Sequence, residues 1–264
     1  MNKFVHYVAC SMFLVLASCA LAAVPAHSPF DGTWRTDLAK TKFSAKPLDF
    51  YISDGWYHCT TCNPVIDVQA DGVDHRVTGQ PFDLINVKIV DPNTISITTR
   101  KDDKMVYEQT RTVSKDGKVL TVKETIYPMD GSPALSFEAT ARRSGITPRD
   151  VHATSGDWIV ERESGSSNGL TTTYKLSGNE LTMTDPTGES YTAKLNEGDF
   201  PVKGAYGWDT VSVKQINSHT IEETDKRKGE VTDVSKLTVE GNTMTVVDND
   251  KQNDRTTTYV AHKE

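Results

Sequence analysis

The sequence predicts an all-β fold of two tandem antiparallel up-and-down barrels of about eight strands each, and three observations carry that prediction. The first is a duplication. DLINVKIVDPNTISIT, starting at Asp83, is answered by DTVSVKQINSHTIEET, starting at Asp209, with Asp83, Val87, Lys88, Thr94, Ile95 and Thr98 all matched at one constant offset. Val77 and Gly79 recur as Val202 and Gly204, Thr112 and Val113 as Thr238 and Val239, and Gly117, Thr121 and Val122 as Gly241, Thr245 and Val246. Copies related in this way share one fold. The second observation is alternation: Ile85, Val87 and Ile89 against Asn86 and Lys88, Ile95 and Ile97 against Ser96 and Thr98, Leu120 and Val122 against Thr121 and Lys123. A period of two in segments rich in Val, Ile and Thr marks strands. The third is punctuation by Asp91-Pro92-Asn93, Lys101-Asp102-Asp103 and Lys115-Asp116-Gly117, turns short enough to make successive strands hairpin neighbours. A meander of short strands does best to close, because closure removes unpaired edges.

The chain opens with the three parts of a secretory leader: a basic start at Lys3, an apolar stretch from Phe4 to Leu16, and small residues Ala20-Leu21-Ala22. Residues 1–22 are expected to be a signal peptide and the mature protein to be exported, to the periplasm or beyond. Leu16-Ala17-Ser18-Cys19 also resembles a bacterial lipobox, so the alternative is acylation of Cys19 and an outer-membrane lipoprotein. Membrane association is expected only through that lipid, since no later segment approaches the roughly 20 apolar residues that a span requires. The remaining length suits two units of ordinary domain size, 29–145 and 150–264, joined by a short linker, Ile146 to Asp150. The formal charge of the 264 residues is -7, and the leader contributes only Lys3 to the basic count. That balance argues against a nucleic-acid or anionic-membrane partner, both of which need basic patches. Lys226-Arg227-Lys228 is the longest basic run, and it reads as a solvated strand end.

The first copy begins Gly32-Thr33-Trp34 and continues RTDLAKTKF, followed by HRVTGQPFD and INVKIVDPNTI; the second has Gly156-Asp157-Trp158, then FPVKG, then DTVSVKQINSHTIEET. These stretches resemble a largely uncharacterised group of bacterial secreted proteins built on a lipocalin-like β-barrel domain. The resemblance covers nearly all of the mature chain and implies a barrel that opens with a Gly-x-Trp strand. It further implies that Trp34 plugs one barrel end beneath a basic side chain of the last strand, Arg142 or Arg143. Helix is weakly indicated throughout, with Asp37 to Lys42 the best candidate.

Cys59-Thr60-Thr61-Cys62 is the main departure between copies. It stands where the second copy has the turn Thr184-Asp185-Pro186-Thr187-Gly188. A CxxC at a turn of an exported chain most simply forms a disulfide that clips the turn. The alternatives are weaker. A c-type haem needs histidine where Asn63 stands, a thioredoxin-like motif needs a helix after the pair, and zinc would have to recruit His58 and His75 without motif spacing.

In the second copy, strands are expected at Leu170–Leu176, Leu181–Thr184, Tyr191–Leu195, Thr210–Ile216, Val231–Val239, Thr243–Val247 and Arg255–Ala261, with Asn168-Gly169 and Gly178-Asn179 as hairpin signals. Gly165-Ser166-Ser167-Asn168-Gly169 matches GxSxG, but a threonine-rich strand follows where a nucleophile elbow needs a helix. Asp248 to Asp254 departs from a calcium loop at Asn253 and Tyr259 and reads as an acidic turn. Glu222 and Glu223 are adjacent on a strand and so face opposite ways. No catalytic constellation, metal site or cofactor is expected. The sequence therefore points to an exported non-catalytic protein that holds a small, partly apolar ligand inside one or both barrels, although Gln109 and Arg111 interrupt the inner face. The alternative is a structural or interaction module of the cell envelope.

Overall fold

The structure, a computed structural model, describes residues 27–146 and 149–264. The expected signal peptide and Cys19 lie outside the described residues. Strands dominate. The first half contributes β1 (Gly32–Thr36), β2 (Leu48–Ser53), β3 (Trp56–Cys59), β4 (Ile66–Gln69), β5 (Asp71–Arg76), β6 (Leu84–Asp91), β7 (Thr94–Lys101), β8 (Lys104–Val113), β9 (Val119–Ile126) and β10 (Leu135–Ser144). The second contributes β11 (Gly156–Gly165), β12 (Thr171–Ser177), β13 (Glu180–Thr184), β14 (Ser190–Lys194), β15 (Phe200–Lys203), β16 (Thr210–Asn217), β17 (Thr220–Arg227), β18 (Glu230–Glu240), β19 (Thr243–Asp250) and β20 (Arg255–Lys263). The fold is all-β with two antiparallel barrels, but each has ten strands rather than about eight. The extra strands are pieces such as β4 and β15, each four residues long. Such pieces are too short to display a period, and Pro201 further disguises β15. The candidate helix at Asp37 to Lys42 is a single 3-10 turn, Leu38–Lys40, capped by Asp37 accepting from the Ala39 amide at 3.1 Å.

The two copies exchange their first strands. β1 is inserted between β12 and β20, pairing Gly32 with Tyr174 and Trp34 with Lys263, and closes the second barrel. β11 is inserted between β2 and β10, pairing Gly156 with Phe50 and Arg143 with Trp158. The stretches 29–145 and 150–264 therefore each give their first strand to the other in space. The physical reason is local. β11 is the next strand after β10 along the chain and pairs with it, Asp157 opposite Ser144, which closes a far shorter loop than pairing β10 with the distant β1 would. With β11 in that place, β1 is left to fill the equivalent gap in the second barrel. Ser155 helps to fix β11 there, its hydroxyl accepting from the Ile52 amide at 2.9 Å.

The first sheet runs from β4 to β5, consecutive strands joined through Ala70 with no ladder between them. It curls around one core that reaches from Phe50 and Ile66 to Ile97, Leu120 and Trp158. The second core gathers Trp34, Leu181, Val211, Ile221, Leu237 and Met244. Exchange also re-pairs the tryptophans. Arg142 or Arg143 was expected over Trp34, but the Arg143 guanidinium lies 4.1 Å from the ring centroid of Trp158, and Lys263 Nζ lies 5.1 Å from that of Trp34. Both indoles donate four residues back, Trp34 to the Phe30 carbonyl at 2.8 Å and Trp158 to that of Thr154 at 2.9 Å. Arg142 instead pairs with Glu161 at 2.8 Å in an exposed ion pair. Gly32 serves this arrangement directly: its φ is 126°, and a Cβ there would lie 2.8 Å from Lys263 Cε.

Candidate ligand cavity

The first barrel encloses a cavity of about 260 Å³. Its apolar wall includes Leu48, Phe50, Leu120, Val122, Phe137 and Val160, with Trp158 at one end. The space exists because β10 contributes small side chains. Ala139 pairs with Val122, and at the matching position of the second barrel Tyr259 pairs with Val246. Tyr259 is largely buried, and its hydroxyl is pushed up to about 12 by that burial and by nearby carboxylates. Alanine at the same place leaves room.

The polar groups of the cavity form a connected set. Gln109 and Arg111 alternate into the barrel from β8, as the sequence indicated. Arg111 donates through Nε and Nη2 to Gln109 Oε1 at 3.0 and 2.8 Å and through Nη1 to the Tyr57 hydroxyl at 3.2 Å. Its guanidinium lies 4.6 Å from the Phe50 ring centroid, a cation–π distance. Gln109 passes the chain on, its Nε2 donating to Glu124 Oε2. Burial raises the Glu124 carboxyl above the usual range, with Gln109 and Arg111 pulling it back.

The second carboxyl group of the cavity, Glu163, comes from β11 and so belongs in sequence to the other copy. Trp158 and Val160 face inward, and the ladder with β10 then shifts between Ala141 opposite Val160 and Thr140 opposite Arg162. This bulge inserts one extra residue and reverses the alternation, which aims Glu163 into the cavity instead of Arg162. Burial raises the Glu163 carboxyl too, and the charge of Glu124 adds to the effect. Among the described residues Glu163 has neither a hydrogen bond nor an ion pair with its side chain.

Cys59 and Cys62 are joined in a disulfide, S–S 2.01 Å, that closes the β3–β4 hairpin and forms part of the cavity wall. The neighbouring hydroxyl of Thr61 donates to the Asp49 carbonyl at 3.2 Å and ties the clipped turn to β2. His58 and His75 have separate engagements: His58 Nδ1 is 3.0 Å from Asp67 and stacks on Tyr51, whereas His75 is 2.9 Å from Asp71. Ser167 sits in a 3-10 turn between β11 and β12. Asp250 caps the acidic turn, accepting from the Gln252 and Asn253 amides at 2.9 Å. Glu223 is buried and Glu222 is paired across the outer face with Lys214 and Lys236. Lys226 forms a 2.7 Å ion pair with Asp199, and Arg227 reaches the Gly79 carbonyl of the first barrel.

The second barrel uses the same interior positions differently. Leu237 stands for Arg111, Ser235 for Gln109 and Asp248 for Glu124, as the paired registers require. Asp225 replaces Thr99, and Glu223 replaces Ile97. Burial without compensating cations pushes Asp225 up to about 9, Glu223 and Glu189 up to about 7, and Asp233 up to about 6. Glu223 accepts from the Tyr191 hydroxyl.

Sequence reasoning found Gln109, Arg111 and the disulfide but missed Glu124 and Glu163. Glu124 was within reach, because it continues the Leu120, Val122 alternation by one step. Glu163 was not, since its direction depends on the bulge. Fold and cavity together define a strand-exchanged double β-barrel whose first barrel is hollow. Searches of family models, curated proteins and solved structures find no match to this chain.

Proposed function

We propose that this is an exported, non-catalytic binding protein that holds a small, partly apolar molecule inside the first barrel. The observation that carries the reading is the cavity itself: about 260 Å³, walled mainly by apolar side chains, with its hydrogen-bonding groups gathered on Gln109, Arg111, Glu124 and Glu163. Apolar walls with a few convergent polar groups are the usual make-up of a small-molecule site. Since a cavity of about 150 Å³ accommodates benzene, this one suits a ligand of roughly ten non-hydrogen atoms. The resemblance to secreted lipocalin-like domains points the same way, as do the leader and the clipped turn.

The test uses a neutral probe of that size, 2-phenylethanol, followed by ligand-observed NMR. Saturable binding to the wild type that disappears in Ala139→Tyr, with an unchanged circular dichroism spectrum, is the expected result. No binding, or equal binding to both proteins, overturns the reading. Native mass spectrometry after incubation with envelope extract would then identify the natural occupant by its mass. A protein-sized adduct there, with no small-molecule adduct, would favour the envelope-module alternative.

A further inference from the structure

Resting on that reading of the cavity, we infer that the ligand carries a cationic amine, held between Glu124 and Glu163, with its apolar body against Phe50, Phe137 and Trp158. Charge balance is the first argument. The charged side chains lining the cavity are Arg111 from β8, Glu124 from β9 and Glu163 from β11, one cation against two carboxyl groups. The second argument is what each group already has. Arg111 is committed to Gln109 and Tyr57 and lies over Phe50, and Glu124 accepts from Gln109. Glu163 alone lacks a partner among the described residues. A group that completes this set must donate hydrogen bonds and bring positive charge, which an ammonium does and a carboxylate does not. Aromatic faces in the wall favour a cation further. The net charge of -7 also steers cations toward the molecule.

This assignment makes the site a product of the strand exchange. Glu163 has no counterpart in the second barrel, because β1 ends at Thr36 and turns into the 3-10 segment, whereas β11 runs on to Gly165. The ten-residue β11 thus brings both the aromatic floor, Trp158, and the acidic group, Glu163, from one copy into the barrel of the other.

Three probes of similar size separate the possibilities: 2-phenylethylamine, 2-phenylethanol and phenylacetate, titrated by calorimetry into the full-length mature protein at pH 7. The amine is expected to bind about tenfold or more tightly than the alcohol, equivalent to about 1.4 kcal/mol, and phenylacetate more weakly than either. Glu163→Gln is expected to remove the advantage of the amine over the alcohol, and Glu124→Gln to reduce it. Between pH 4 and 8 the amine's affinity is expected to rise as the two carboxyls ionise beside Arg111, while Tyr259, its hydroxyl pushed up by burial, keeps its proton. If the alcohol binds as well as the amine, if phenylacetate binds best, or if Glu163→Gln leaves the amine unaffected, the cationic assignment fails and the cavity reading survives. If none of the three binds, both fail.

Discussion

The acidic interior of the second barrel yields the sharpest test of the electrostatic reasoning, through Asp225→Asn. Asp225 lies on β17 with Oδ1 buried and, among the described residues, without a hydrogen-bond partner. Burial first, then the charges of Glu223, Asp233, Asp248 and Glu189, push its carboxyl up to about 9. An acid whose folded pKa is raised binds its proton more tightly when native. Its contribution is therefore fully favourable below the unfolded value near 4 and is lost as pH rises toward the folded value. Between pH 5 and pH 8 the native group stays protonated while the unfolded one is ionised, three pH units at about 1.4 kcal/mol each, or at most about 4 kcal/mol. The bound is an upper one because Glu223 and Asp233 share the titration. Urea denaturation of the wild type is expected to show markedly lower stability at pH 8 than at pH 5. Asn mimics the protonated form, so the variant's advantage over the wild type should be larger at pH 8 than at pH 5, by about 1 to 2 M in urea midpoint for a slope of about 2 kcal/mol/M. Equal pH slopes for the two proteins would refute the assignment of a buried, neutral Asp225.

Three further outcomes are expected. Trp158→Ala should cost about 3–5 kcal/mol, and hydrogen exchange should locate the lost protection in strands β2 to β10; Trp34→Ala should lower protection in β12 to β20 instead, the reverse of what unexchanged copies would give. The chain from 29 to 145 expressed alone lacks β11, so it should fail to bind the neutral cavity probe, whereas the full chain binds it. Reduction should add the mass of two hydrogens by opening Cys59–Cys62, and replacing both with serine should lower stability by about 2 kcal/mol for so short a loop, measured by denaturant midpoint; two free thiols in the purified, unreduced protein would contradict the disulfide.

What could be read from the sequence was whatever depends on local pattern. The alternation Ile85, Val87 and Ile95, Ile97 gave strands β6 and β7 because half-buried strands must segregate side chains by face. Asp91-Pro92-Asn93 gave their turn, and the spacing of Cys59 and Cys62 gave a clipped hairpin. Two features escaped because they are not local. Strand exchange alters no local pattern and changes only which of two equivalent gaps β1 and β11 enter. The bulge near Val160 alters no residue type, yet decides whether Arg162 or Glu163 faces the cavity. A reading of period two alone aims the wrong one of these inward, and with it the wrong charge.

The duplication explains how the interiors of the two barrels come to differ. The repeated glycines show what both copies must keep: Gly79 and Gly204 have φ of 79° and 75°, and a Cβ would lie 2.7 Å from Pro64 in one barrel and 2.1 Å from the Gly188 carbonyl oxygen in the other. Backbone meets its neighbour there, so neither copy is free to change. Interior positions are under no such constraint, and they diverge in both volume and charge. Ala139 against Tyr259 decides volume. Arg111 against Leu237 decides whether a buried carboxyl has a cation beside it. Where the cation is present, Glu124 keeps a partner chain that leads to open space. Where it is absent, burial raises the acids of the second barrel, and hydroxyls take the cation's place, Tyr191 donating to Glu223 and Ser235 to Asp248. The second barrel thus holds the exchanged strand β1, while β11 gives the first barrel both its floor and its unpaired acid. Cutting the chain between the copies should therefore abolish the site without removing any residue of it that lies between Leu48 and Ala141.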